Sequence, residues 1–495
     1  MTSLLLVLAQ VAPTAGATRD AREADAHALE GHELEGRWWG SAGFPEDRIE
    51  EGYEIRRNDK QELEVLLYRP VVNFYGLPLG KLQHDGDSWF LPSFGVRFRV
   101  KDGELTGTEA PFSSPFALRR AESFPSEVPL PKLPAGPGPR WRTKLGAAID
   151  APAAVRDGTV YVGTSGGMFY ALHREDGGFA WAFEAGRPIF GEPLVTDDAV
   201  CFVCDDGFLH QLERDSGREI WRYDLGDAQS PRTLPHLVGP NSGGFTWSTT
   251  APRPLLLDDV LYVGSGDGSV HAVDCESGRR VWRFATDGAV RTDAVCDGFR
   301  VVVGAIGGSV YGIDRESGQQ AWKRDTLAAV TSSPALIGGK VIVGNRGGVL
   351  SAFDPTTGER RWARGFWGSS VESTAADGQD GRFYIGSSGL RRITAMDAAD
   401  GRVVWRTDVF GWAWARPAVT TRRVYACAGG SEPYQIRHLG AFLALDRESG
   451  KIVWRWPMPD WPGSWTTGFA APPVVDGHML VVGGLDGTLY AFPAE

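Results

Sequence analysis

A tryptophan returns along this chain at a period of about forty residues, and in most copies a glycine stands four positions before it. The phrase is clearest from Val310 to Trp322, VYGIDRESGQQAW. It recurs from Asp274 to Trp282, Asp354 to Trp362, Asp397 to Trp405 and Asp446 to Trp454, with looser copies ending at Trp181 and Trp221. The glycines are Gly177, Gly217, Gly278, Gly318, Gly358, Gly401 and Gly450. Trp141 stands alone ahead of the first copy. A fixed period of this length marks stacked supersecondary units, none of which buries its apolar face alone.

Each unit reads as four strands. An apolar run ends in Gly, as in VYVG at 160–163, LYVG at 261–264 and VIVG at 341–344. A Gly-rich turn, a second apolar strand, the acidic-Gly turn and the Trp strand follow. A further strand comes next, often opening at Pro, as at Pro193, Pro334 and Pro417. Units begin near residues 160, 200, 260, 301, 341, 383, 424 and 480. The last lacks a Trp strand, and Trp141-Arg142-Thr143-Lys144 is available to supply it. An N-terminal strand completing the last unit removes the open edge of a ring. The expected fold is all-β: an eight-bladed propeller over 141–495, closed by that strand.

Ahead of it, period-two alternation at Leu63, Val65 and Leu67 and at Val96, Phe98 and Val100 marks half-buried strands. Residues 34–120 read as a small antiparallel β domain, with six to eight strands in 34–108, barrel-like or sandwich-like. It opens on Gly36-Arg37-Trp38, which is similar to the G-x-W of lipocalin-type barrels. That likeness implies a small-ligand pocket; the residues better suit an accessory module whose Trp38 plugs its own core. Residues 121–140 read as a Pro-rich linker, extended and semi-rigid.

A net charge of −11 argues against general binding to nucleic acid or anionic membranes. No apolar run is long enough to span a bilayer. Residues 1–17, MTSLLLVLAQVAPTAGA, have the short apolar core and small-x-small ending of a signal peptide, so export to the periplasm or beyond is expected. Residues 18–33 read as a polar leader. Of the five cysteines, Cys201 and Cys204 share a strand at a spacing that points them to opposite faces. The two read as small buried apolar side chains rather than a redox or metal pair, and Cys275 and Cys296 are the pair to test for a disulfide.

The repeated phrase, VYVG followed by YA-[LIF]-D and then G-x-x-x-W, resembles the PQQ-repeat family of quinoprotein dehydrogenases and BamB-type propellers, over about residues 140–495. The resemblance implies eight blades with the recurring Trp packed between them. It implies PQQ and Ca²⁺ only for the dehydrogenases, which carry adjacent cysteines beside the quinone and hold Ca²⁺ with acidic and amide groups at the channel mouth. This chain has no Cys-Cys pair, and Glu192 and Asp293 occupy corresponding places without a convincing partner Asn.

Propeller connections alternate between two faces. The acidic-Gly turns share one face with tight pairs such as Asp157-Gly158 and Asp476-Gly477. The departures from the period all fall on the other: about twenty residues at Asp227 to Ala251, about nine near Gly430 to Leu439, and about seven before Pro472. Insertions on one face commonly mark a binding face. Its loops carry Phe190, Phe245, Trp247, Trp367, Trp412, Trp414, Tyr434, Trp461 and Trp465, with Arg291, Arg346, Arg391, Arg392 and Arg416 and the acids Glu192, Asp293 and Glu372. Trp, Tyr and Arg are common interface anchors. The same aromatics also suit packing of the loops on one another.

The function expected is a non-catalytic, exported, monomeric scaffold that binds a protein or peptide partner through this face, without cofactor or metal. A PQQ- and Ca²⁺-dependent alcohol dehydrogenase and a carbohydrate or small-ligand binder are the alternatives. Gly163-Thr164-Ser165-Gly166-Gly167 matches G-x-S-x-G but lies in a strand-to-strand turn, where no nucleophile elbow forms. His210 and His271 hold related blade positions and read as strand residues rather than ligands.

Overall fold

The computed structural model describes residues 31–43, 48–72, 74–92, 96–109, 114–126, 131–228, 232, 250–366, 369–430, 438–458 and 466–495. Regular structure in these residues is β-strand, apart from one 3-10 turn at Pro70–Val72. The chain divides near residue 130 into two units.

The N-terminal unit is one antiparallel sheet of nine strands, from Gly36–Ala42 to Ser114–Arg120. Its first and last strands pair, Trp38 opposite Arg120 and Ala42 opposite Phe116, so the sheet curls into a nearly closed barrel. Eight of the nine begin within 34–108, at the upper end of the six to eight expected there. Ser114–Arg120 lies beyond the alternating region, and Gln83–Asp85 is too short and too exposed to show a period. The interior is filled. Trp38 is 1% exposed and donates its Nε1 hydrogen to the Leu34 carbonyl at 2.6 Å. Tyr53 meets Phe98 edge-on at 5.1 Å, and a buried Arg69–Glu51 pair closes at 2.7 Å. Trp38 thus plugs its own core.

The second unit is a ring of eight antiparallel sheets, each with the expected four strands; the seventh carries an added strand, Thr467–Gly468. In the first blade, Ala154–Arg156, Thr159–Gly163, Met168–His173 and Phe179–Glu184 run from the axis outward. The short inner strands of neighbouring blades touch around the axis. The two middle strands are almost wholly buried, as their continuous apolar runs require. Trp141–Lys144 pairs with the last strand, Trp141 opposite Ala491 and Lys144 opposite Thr488, and this closes the ring.

The repeated tryptophan is the joint between blades. Trp181 donates to the Arg214 carbonyl at 2.9 Å, Trp282 to Arg315 at 2.9 Å, Trp322 to Pro355 at 2.8 Å and Trp405 to Arg447 at 3.0 Å. Each acceptor directly follows the strand-ending acidic residue of the next blade, or takes that place. The indole lies against the glycine of the same turn. A Cβ on Gly318 would meet Trp282 at 2.7 Å, and one on Gly358 would meet Trp322 at 2.6 Å. Those glycines also hold φ near +69°, so both backbone freedom and the missing side chain are needed. A β-bulge precedes each of these Trp except Trp141: Ala272 pairs Trp282 while Val273 pairs Arg280. The skipped residue faces solvent, which is why Val281 is 52% exposed.

Trp454 has no following acidic-Gly turn. Gly136 takes its place, with a virtual Cβ 2.6 Å from the indole, and Ala135 bridges Arg455. Residues 134–136 therefore lie along the seventh blade.

Candidate functional site at the propeller mouth

The links from each outer strand to the next inner strand build one mouth of the channel. Seven of the eight carry an apolar plug: Ile149, Ile189, Val290, Val330, Val371, Ala413 and Phe469 are 0% exposed. The plug sits on the glycine that ends a middle strand, a Cβ on Gly163 meeting Ile189 at 2.3 Å and one on Gly304 meeting Val330 at 2.3 Å. This close approach explains the final Gly of the VYVG phrase.

The residue after the plug is in turn Asp150, Phe190, Arg291, Thr331, Glu372, Trp414 and Ala470. Arg291 makes a two-point contact with Asp227, at 2.9 and 3.2 Å, with both side chains under 5% exposed. Arg346 reaches Glu372 at 2.8 Å. Arg391 reaches Asp408 at 2.6 Å. Arg232 pairs with Asp205 and lies 4.5 Å over the Phe190 ring. Burial pushes the Glu372 and Asp408 carboxyls up, against the pull of their arginines. It raises Asp150 to about 6, with Arg232 opposing. Asp150 is walled in by protein yet keeps partial contact with solvent. Arg392 begins the strand Arg392–Asp397.

Two positions further on, just before the inner strands, stand Glu192, Arg253, Asp293, Ser333 and Arg416. Glu192 is held by Arg253 at 3.1 Å and by Arg416 at 3.2 Å. Arg253 enters the third blade and Arg416 the seventh, so Glu192 of the second blade joins links that are not neighbours in the ring. Asp293 accepts the Arg253 backbone N–H at 2.7 Å, and the Asp293 N–H donates to Ser333 Oγ at 2.9 Å. Between these positions, Ser332 donates to the Ser373 carbonyl and Ser373 to the Ala415 carbonyl, both at 2.9 Å.

Trp412 and Trp414 stack at 4.8 Å and 10°, and His438 stacks on Trp412 at 4.6 Å. Trp414 donates to Ser388 Oγ at 2.9 Å. Both indoles remain half-buried. The candidates Phe245, Trp247, Trp367, Tyr434, Trp461 and Trp465 lie outside the described residues, as does most of each insertion.

Of the sequence candidates, Glu192 and Arg416 come together, as do Arg346 and Glu372, and Trp412 and Trp414. Arg291 and Asp293 instead find Asp227 and the Arg253 backbone. Sequence reading missed Asp150, Arg253, Asp227, Asp408 and His438. Arg253-Pro254 repeats the charged-residue-then-Pro signal of Glu192-Pro193 and Arg416-Pro417, and aligning the links on that Pro finds it.

The donor set at Glu192 and Asp293 does not suit Ca²⁺. Glu192 lies between two guanidinium groups, which repel a cation, and one Asp293 oxygen is already engaged by a backbone N–H. Asn345, beside the mouth, uses both amide atoms within its own turn and the preceding link. Among the described residues, Cys204, Asp206 and His210 place ligand atoms within 4.8 Å of one another. Their geometry is a repeated turn clamp. Asp206 meets His210 at 2.8 Å, Asp267 meets His271 at 3.5 Å, and Asp486 accepts from Tyr490 at 2.7 Å. Burial pushes the Cys204 thiol far up, and it donates to the Arg187 carbonyl. On the N-terminal unit, a cleft of ≈ 440 Å³ is lined by Glu33, His84, Asp87, Trp89, Arg99 and Lys101, among others.

The ring, its inter-blade tryptophans and its closing strand define a β-propeller of PQQ-like repeats. The chain belongs to the family whose model is described as outer membrane protein assembly factor BamB, matched over residues 135–234, 206–376 and 346–455. Among solved structures it is similar to BamB from Moraxella catarrhalis at 17% identity, covering 72% of this chain and 98% of that one, TM-score 0.53. It is also similar to the computationally designed Ika8 protein at 16% identity, 72% and 99% coverage, TM-score 0.54. A europium-containing methanol dehydrogenase aligns at 14% identity, 72% and 93% coverage, TM-score 0.55. At these identities the likeness is one of fold. No curated protein matches the chain.

Proposed function

We propose that the protein is a non-catalytic propeller scaffold that holds a protein or peptide partner on the mouth face. The observation that carries this reading is the Arg253–Glu192–Arg416 bridge, which occupies with protein side chains the carboxylate that a bound cation would need. Around it, charges are neutralised within the chain, while the stacked Trp412 and Trp414 keep accessible edges. Half-buried aromatics amid paired charges suit a protein surface better than a charged substrate. Membership in a family described as an assembly factor supports the same reading. Export to the periplasm, as a monomer, completes the proposal; it rests on residues 1–17 and on that family description.

The test is capture from periplasmic extract with the unmodified protein, with Trp412→Ala and with Trp414→Ala, thermal unfolding being recorded in parallel. Loss of one specific partner at unchanged melting temperature supports the reading. Unchanged capture contradicts it. Dye-linked alcohol oxidation after incubation with PQQ and Ca²⁺ would favour the dehydrogenase instead.

A further inference from the structure

We propose that Cys201 and Cys275 form a dithiol redox site, in which Cys275 attacks a small-molecule or protein disulfide and Cys201 resolves the adduct, leaving a disulfide that joins the second blade to the third. The two residues share one inter-blade core, although they are far apart in sequence and no motif links them. Cys201 stands on the strand Ala199–Val203, wholly buried, and is paired across the sheet with Gln211. The Gln211 amide reaches the Cys275 sulfur at 3.7 Å. Cys201 and Gln211 stand opposite each other on one face of the sheet, so the Cys201 side chain lies beside the amide that reaches that sulfur. Cys275 is fixed on both sides: its N–H donates to the Asp259 carbonyl at 2.8 Å, and its own carbonyl accepts the Trp221 indole N–H at 3.1 Å.

The division of labour follows from exposure and polarity. Cys275 is partly exposed, and the Cys201 thiol beside it holds it near 7, below the ordinary thiol value. Cys201 has no solvent contact, so it acts second. Cys296, the partner expected from sequence, is pushed up by burial, and Cys204 and Cys427 are buried thiols.

In the first step the Cys275 thiolate displaces one thiolate from the external disulfide and forms a mixed disulfide. In the second, Cys201 gives up its proton and attacks the Cys275 sulfur, and the second external thiolate leaves. Two protein thiols are oxidised, and the external disulfide, the oxidant, is reduced to two thiols. The resulting covalent loop closes the chain between residues 201 and 275, so oxidation ties the second blade to the third.

The experiment treats the full chain with oxidised glutathione, quenches with acid, and maps thiols by alkylation and mass spectrometry. The expected product joins Cys201 to Cys275, is reversed by dithiothreitol, and leaves Cys204, Cys296 and Cys427 alkylated. Cys201→Ala should stop at a glutathione adduct on Cys275, and Cys275→Ser should leave Cys201 unlinked. Before oxidation, Cys275 of the unmodified protein should alkylate roughly tenfold faster than Cys296 at neutral pH, a readout that needs no variant to fold. A persistent adduct on Cys275 without cross-link in the unmodified chain, a Cys275–Cys296 link, or equal labelling of Cys275 and Cys296 overturns the proposal.

Discussion

Glu192 and Arg416, separated by 224 positions in the chain, meet at 3.2 Å where the links of the second and seventh blades approach the propeller axis. Arg253 holds the other oxygen of the same carboxylate at 3.1 Å. Burial pushes the Glu192 carboxyl up, with Arg253 and then Arg416 drawing it back. The contact ties links that sequence order keeps apart, so it stabilises the ring as a whole rather than one blade.

A double-mutant cycle on Glu192→Gln and Arg416→Gln should give a coupling energy of about 1 kcal/mol. The figure is small because Arg416 keeps 37% of its side chain in solvent. Urea unfolding of the four proteins measures it. Additive effects would mean that the pair does not couple the blades.

Trp322→Ala should destabilise the ring by about 3–5 kcal/mol, because a large buried side chain leaves a cavity between blades. Trp322→Phe keeps much of the packing but loses the bond to the Pro355 carbonyl, and should cost less. Gly358→Ala attacks the same joint from the other side. It meets both a positive φ and the Trp322 indole, and should cost about 1–3 kcal/mol. Denaturant midpoints rank the three.

Asp150 gives a pH signature of known sign. Its folded pKa, about 6, is raised from an ordinary value of 3.8. Relative to a neutral residue, its contribution is fully retained below about pH 4 and is lost as pH rises through 6. Asp150→Asn should therefore stabilise the protein by about 1 kcal/mol at pH 7.5, the size tempered by the residue's partial contact with solvent, and the gain should vanish near pH 4. Thermal unfolding at the two pH values checks this.

The blades were legible because each Trp is tied to a Gly by two physical demands, a positive φ and a flat neighbour, which keep their spacing constant. Closure by Trp141 was legible for the same reason, since a strand without its turn needed a turn without its strand. The bulge beside each Trp was hidden, because it changes which residue faces solvent without changing the spacing. The mouth was legible as a set of links but not as a set of pairs. Glu192, Arg253 and Arg416 belong to three different repeats, and their meeting depends on the curvature of the ring. Cys201 beside Cys275 was missed for that reason: the Trp221 joint seats the turn of one blade on the strand of another. In the N-terminal unit, alternation showed the strands of 34–108, and Ser114–Arg120 lay beyond the stretch where it was read.

Face-resolved photocrosslinking tests the central claim most directly. A photoreactive residue replaces Trp412 on the mouth face or Thr356 in an acidic-Gly turn on the opposite face, and the full-length protein is irradiated in its native compartment. The account predicts one discrete protein adduct from position 412 and none from position 356. Equal adducts from both positions, or none from position 412 in a folded protein, would contradict it.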